Sequence, residues 1–226
     1  MRMKVQTVCS KGSGKINEDI LLVKKDVFGV FDGVTSISTT KKKNGGGRRA
    51  ARICRHVFSQ QNKSLKSLAR DANRAILNAM VKEKILLQPK ESRWSAVGAV
   101  VRLHKNRAEF FQICDCLVLV LFHDGTYRVV TPYRNHNAKT FAQWKRLPQR
   151  FKTGGWVSAK KQGGFSHIHG EMLHVRRQAN KTYGILNGEK NAEKFFRTGN
   201  FSLRNVASIL LFTDGLLIPK SNPKKQ

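Results

Sequence analysis

Two apolar runs in this chain end on the same dipeptide, and that pairing limits the fold more than any other feature. Residues 28–33 read FGVFDG and residues 208–215 read SILLFTDG. Short apolar runs closed by turn residues read as buried strands. The stretch INEDILLVKKDVFGVFDG, residues 16–33, holds two such runs with a polar break at Lys24-Lys25-Asp26, the pattern of a β-hairpin. The strand that pairs with the first Asp-Gly strand then carries Glu18 and Asp19. Taken singly, each Asp-Gly is an ordinary turn dipeptide. The chain has 14 acidic residues against 43 Lys and Arg, however, and several of the acids sit at strand ends. Carboxylates from several strand ends meeting at one point repel each other unless a cation joins them. Hard divalent ions prefer such oxygen ligands. Gly33 lacks a side chain, which lets its backbone carbonyl approach an ion.

The rest of the chain predicts alternating layers. MKVQTVCSKGSG reads as a strand running into a glycine loop. GRRAARICRHVFSQ reads as a helix with Ala50, Ile53, Val57 and Phe58 on one face. Leu65, Leu68, Ala72, Ile76, Ala79 and Met80 recur at helical spacing and predict a second helix with a core-facing stripe. SAVGAVVRLH, RAEFFQIC and CLVLVLFHDGTYRVVT predict strands, with Asp124 serving only the turn at 123–126. Residues 132–182 read as an irregular, flap-like insertion interrupted by a short helix, AKTFAQWKRL. YGILNGEKNAEKFF reads as a strand and then a helix. Strands, two long helices and more strands predict one α+β domain over 1–226, built mostly from antiparallel sheet.

Composition excludes several classes. A chain of 226 residues with 40% apolar content can bury a core as one domain. No run approaches the roughly 18 apolar residues of a membrane span. The basic N-terminus has no apolar core of a secretory signal. The four cysteines lack zinc-motif spacing and are expected as reduced thiols, so the predicted location is cytoplasmic with no membrane partner. A net charge of +29 favours non-specific polyanion binding. It is spread along the chain, without zinc-finger spacing or an RNP-like pattern, so nucleic acid is not the primary target. A cysteine phosphatase needs an Arg six positions after its Cys, and those positions hold Lys15, Gln60, Val120 and Phe122. GSGK at 12–15 fails as a P-loop, because Cys9 and Ile16 stand where Gly and Ser or Thr are required. His167, His169, Glu171 and His174 fall in a predicted loop and read as exposed polar surface rather than a zinc site.

Five segments, in order along nearly the whole chain, resemble the metal-dependent protein phosphatases of the 2C class. GKINEDILLV resembles the first acidic motif and FGVFDGVTS the central Asp-Gly motif. GGGRRAARICRHVF resembles the glycine-rich start of the first long helix. QICDCLVLVLFHDGTYRVVT resembles the Gly-Asp-Ser motif with its following hairpin, and SILLFTDGLL the late Asp-Gly motif. The resemblance implies a four-layer α-β-β-α sandwich, with two antiparallel sheets flanked by helices. It implies hydrolysis of phosphoserine and phosphothreonine in proteins by a metal-activated water, with no covalent intermediate. It implies two Mn²⁺ or Mg²⁺ ions and a weaker third. Asp32 would bridge the first two, Gly33 would offer its carbonyl, Asp214 would ligate the second, and Asp115 would join Asp214 at the third. Glu18 and Asp19 would orient the metal-held waters, and Lys15 is the nearest cation for the substrate phosphate. Cys114 and Cys116 stand where the family has Gly and Ser. Family members continue past the late Asp-Gly to a further Asp ligand, whereas this sequence stops at Gln226. The sandwich is therefore expected to be incomplete at its C-terminus. The alternative function is a catalytically weak relative that binds phosphoproteins or nucleic acid through its basic surface.

Overall fold

The first hairpin forms as its pattern predicts. In the computed structural model, which describes residues 3–11, 16–35, 37, 45–60, 63–133, 135–148 and 164–216, strands Ile20–Lys24 (β1) and Val27–Gly33 (β2) pair antiparallel. The two-residue turn between them places Lys25 at positive φ. β2 pairs on its other side with Ala96–Leu103 (β3), which pairs with Arg107–Ile113 (β4). Arg197–Ser202 (β7) closes this five-stranded sheet on the far edge of β4. A second, three-stranded sheet places Leu117–Phe122 (β5) between Tyr127–Val129 (β6) and Val206–Phe212 (β8). All these pairings are antiparallel.

Two helices cover one face of the larger sheet. Gly46–Phe58 (α1) packs on β2 and β3, and Leu65–Lys82 (α2) packs on α1 and β4. The other face of β3 meets β5 and β8. Covered on both sides, β3 is buried over nearly its whole length, which explains its unbroken apolar run AVGAVV, Ala96 to Val101. In the smaller sheet, Val118 and Val120 point into this interface, whereas Leu119 and Leu121 face outward. The centre of the core is aromatic. Phe58 of α1 lies 5.5 Å from Phe31 and 5.2 Å from Phe111, whose ring meets Phe196 edge-on at 5.3 Å. Two antiparallel sheets flanked by helices are thus the architecture, as the sequence predicts.

Some local expectations do not hold. Residues 3–11 are exposed and join no strand among the described residues; Asn17 donates to the Cys9 sulfur at 3.3 Å. Glu18 and Asp19 lie in the extended segment just before β1, not within it. The predicted helix AKTFAQWKRL is present as Ala138–Arg146 (α3), but Gly164–Arg177 is also helical (α4) and packs on α3. His167 and His169 therefore lie on a helix, two residues apart and on different sides, so those two cannot meet at one ion. Tyr183–Leu186 makes only isolated bridges, and Lys190–Phe195 is 3₁₀ rather than α. The hairpin turn at 123–126 is as expected: Asp124 accepts from the Thr126 backbone and hydroxyl, at 2.9 and 2.7 Å.

A buried amide network fixes the chain after α4. Asn73, inside α2, accepts from the backbone N–H groups of Asn187 and Gly188 at 3.0 and 2.8 Å and donates to the Glu189 carbonyl at 3.0 Å. Asn180 donates to Asn187 and Glu189, and Lys90 pairs with Glu189 at 2.9 Å. Three backbone groups depend on one side chain. Asn73→Ala is expected to destabilise the fold by roughly 2–4 kcal/mol in urea melts, since buried groups left unpaired cost more than an average hydrogen bond. Arg74→Ala, on the exposed face of the same helix, is expected to change stability by no more than about 0.5 kcal/mol.

Candidate metal centre

The hairpin register brings the first three carboxylates together. Ile20 pairs with Phe31, so the chain before β1 runs beside the end of β2, and the Gly33 N–H donates to the Glu18 carbonyl at 3.2 Å. Asp19 and Asp32 thereby become neighbours across the hairpin. β8 adds Asp214 just beyond its end, and Thr213 donates to the Asp19 carboxylate at 3.3 Å. Asp115 arrives on the short link between β4 and β5, where the chain passes from one sheet to the other.

Glycine is required here for close approach. A β-carbon on Gly47 would lie 2.6 Å from the Gly33 carbonyl carbon and 2.7 Å from a Glu18 carboxylate oxygen, and one on Gly33 would collide with the Gly47 backbone. The bare pair lets the first turn of α1 abut the end of β2. Glu18 then accepts the Arg48 backbone N–H at the positive end of the helix, and the Thr35 hydroxyl at 2.5 Å. The Arg48 guanidinium donates to the Asn17 carbonyl. The structure therefore gives Gly33 a packing role that the sequence alone did not show.

These acids perturb one another. Burial holds the Asp32 carboxyl well above the usual carboxylate range, and the charges of Asp214, Asp19, Asp115 and Glu18 raise it further. Burial raises Asp19, and Asp214 adds to this. Burial also raises Glu18, against the opposing bonds from Thr35 and Arg48. Asp214 is pushed up to about 6 by burial and then by Asp115, while a hydrogen bond from Asp32 acts the other way. Burial and mutual repulsion thus favour the uncharged form of these carboxyls, and the charge of His136 opposes this at Asp214. A divalent cation would relieve this repulsion, and carboxylate oxygens suit a hard ion. Asp32, Asp19, Glu18, Asp115 and Asp214 fit such a centre in chemistry and placement.

Three side chains lie close enough to hold a single ion. Ligand atoms of Cys114, Asp115 and His136 are within 4.8 Å of one another. Cys114 has φ 68°, a left-handed conformation that costs a residue with a β-carbon roughly 1–2 kcal/mol. Sequence reasoning singled out Asp115 but not His136, which lies before α3 and is far away in the chain.

A cation close to the carboxylates comes from α4. Arg176 donates to the Thr35 carbonyl at 3.2 Å, and its charge bears on both Glu18 and Asp115. It lines a recess with Thr35, Lys90, Arg93 and Asn187. It was missed because helix α4 was read as a loop. Lys15 lies outside the described residues.

No family model and no curated protein matches the sequence. Solved structures match the fold. The catalytic domain of the serine/threonine protein phosphatase PstP in complex with two manganese ions aligns with a TM-score of 0.57 at 16% identity, covering 93% of this chain and 76% of that one. A bacterial serine phosphatase aligns with a TM-score of 0.55 at 13% identity, covering 91% and 76%. The serine/threonine phosphatase Stp1 from Staphylococcus aureus aligns with a TM-score of 0.52 at 12% identity, covering 100% and 88%. The chain has the fold of these phosphatase domains, which is the fold implied by the order of motifs in its sequence.

The raised carboxyl groups set a sign for stability. The native state retains protons that the unfolded chain releases, so these groups favour the metal-free fold at low pH. That contribution falls as pH rises from about 4, where unfolded carboxyls ionise, through the Asp214 value of about 6. Asp32→Asn removes the most strongly raised acid. It is expected to raise the melting temperature of the metal-free chain at neutral pH by about 2 °C or more, with little gain near pH 4. Calorimetry at the two pH values checks this.

Proposed function

We propose that this chain is a metal-dependent serine/threonine protein phosphatase, a hydrolase that cleaves phosphoserine and phosphothreonine in proteins. The observation that carries this reading is the convergence of Glu18, Asp19, Asp115 and Asp214 on Asp32, on the fold of serine/threonine phosphatase domains. Asp32, the Gly33 carbonyl and Asp214 would hold two Mn²⁺ or Mg²⁺ ions, with Asp115 and Asp214 at a weaker third position. When bound, such ions supply Lewis acidity toward phosphoryl oxygens and an activated water as nucleophile.

The chain's own residues do the positioning. Glu18 is held by Thr35 and by the helix N-terminus, and Asp19 by Thr213, so both carboxylates are fixed to orient water. Arg176 offers a planar fork that suits a phosphate dianion, and Arg93 and Lys90 add positive charge to the same recess. Lys15, from the first motif, remains a second candidate for that task. We take residues 1–226 as one domain with a flap-like insertion at 132–182, of which 134 and 149–163 lie outside the described residues, since α4 brings Arg176 from that insertion toward the carboxylates. No described helix is long and apolar enough to cross a membrane. The four free cysteines support a cytoplasmic setting, and the charge of +29 supports additional non-specific polyanion binding.

Turnover of a phosphothreonine peptide tests this assignment. The wild-type chain is expected to hydrolyse it with Mn²⁺ and not with EDTA, and Asp32→Ala is expected to fall to the buffer background. Arg176→Ala is expected to raise KM by about 10–100-fold with little change in kcat, the loss of a charge-assisted hydrogen bond worth roughly 1.5–3 kcal/mol. Wild-type turnover that ignores divalent ions would refute the assignment.

A further inference from the structure

We propose that Cys114, Asp115 and His136 form a zinc(II) site next to the carboxylate centre. The three come from two places, the β4–β5 link and the segment before α3, and their ligand atoms lie within 4.8 Å of one another. The Cys114 Sγ is 3.6 Å from His136 Nδ1, and that nitrogen is 3.8 Å from an Asp115 oxygen. A tetrahedral ion with Zn–S of about 2.3 Å and Zn–N of about 2.05 Å separates sulfur from nitrogen by about 3.6 Å. The corresponding nitrogen–oxygen edge is about 3.3 Å, which a small carboxylate rotation supplies.

The donor set selects the metal. Thiolate, imidazole and carboxylate together suit a borderline ion, whereas Mn²⁺ and Mg²⁺ favour oxygen. A thiolate and a carboxylate balance the two charges of the ion. On binding, the thiol proton leaves to solvent and a Zn–S bond takes its place. Asp214 lies near this group, since its carboxyl is influenced by both Asp115 and His136.

Two further observations point the same way. Cys114 occupies a left-handed backbone conformation at φ 68°, where glycine fits without strain. The buried Gln112 amide donates to the Cys114 carbonyl and braces that turn. A strained residue held in place is a pointer to function. In addition, the His136 ring stacks on Tyr183 with centroids 4.2 Å apart, and the Tyr183 hydroxyl donates to the Val175 carbonyl at 3.1 Å. The imidazole is thereby oriented by a second layer of contacts, as metal-ligating histidines are. A cysteine nucleophile would instead place its base and its acid on different ring nitrogens. Here Nδ1 faces both partners.

Cobalt(II) substitution of the full chain tests the site. Cys9 is exposed, so the measurement uses a Cys9→Ser background. One equivalent of Co²⁺ is expected to give a sulfur-to-cobalt charge-transfer band that one equivalent of Zn²⁺ bleaches. Cys114→Gly is expected to abolish the band, to lower zinc affinity by at least about 100-fold, and to melt at a higher temperature because the backbone strain is relieved. His136→Ala is expected to abolish the band as well, whereas Asp32→Ala keeps it, since the site does not depend on the phosphatase assignment. Absence of the band, its survival in Cys114→Gly, or its loss in Asp32→Ala would overturn the proposal.

Discussion

Mutual repulsion among buried carboxylates is the constraint around which this fold is arranged. Asp32 closes β2, Glu18 and Asp19 run beside it, Asp115 links the two sheets, and Asp214 follows β8. Each segment is held by interactions unrelated to the acids: strand pairing, aromatic packing around Phe58, and the backbone contact of Gly33 with Gly47. The scaffold therefore forces together charges that would otherwise separate. A site built this way stores a preference for something positive. A divalent ion meets that preference near neutral pH, where these carboxyls ionise.

The basic character of the chain does not neutralise the cluster. Glu83, Asp71, Glu193 and Glu91 are each paired with a Lys or Arg away from this centre. Near the five central acids, Arg176 touches the Thr35 carbonyl and Arg48 the Asn17 carbonyl rather than a carboxylate. Positive charge thus gathers at one edge of the site, in the recess that includes Lys90 and Arg93. An anionic substrate entering there meets cations on one side and the carboxylate centre on the other. That separation of charge is the physical basis for reading the site as one that handles phosphate.

Much of this was legible in the sequence, and the reason is periodicity. The β1–β2 hairpin, the stripe of α2 and the twin Asp-Gly ends are strong patterns because each packs against a single core. Glu18, Asp19, Asp32 and Asp214 could be chosen because acidic residues are scarce and fall at strand ends, whereas Asp115 came from the resemblance of its segment to a Gly-Asp-Ser motif. Other parts carried no such signal. β7, RTGNFS, is a sheet-edge strand with only Phe201 fully buried, so its sequence alternates little. Of the α4 residues whose side chains are described, only Ile168 is fully buried, and its His, Gly and Arg content reads as loop. Arg176 was invisible for that reason. His136 was missed because its neighbours Cys114 and Asp115 lie far away in the chain. Gly33 was read for its carbonyl, whereas its contact with Gly47 depends on a helix position that sequence spacing does not reveal.

The central claim is that the five acids form a divalent-ion centre anchored on Asp32. Titrating the full chain with Mn²⁺ while following the free-ion electron paramagnetic resonance signal tests it most directly. The account predicts saturable loss of the signal in the wild-type chain and none in Asp32→Ala under the same conditions. Equal binding by the two chains, or no saturable binding by the wild type, would contradict it.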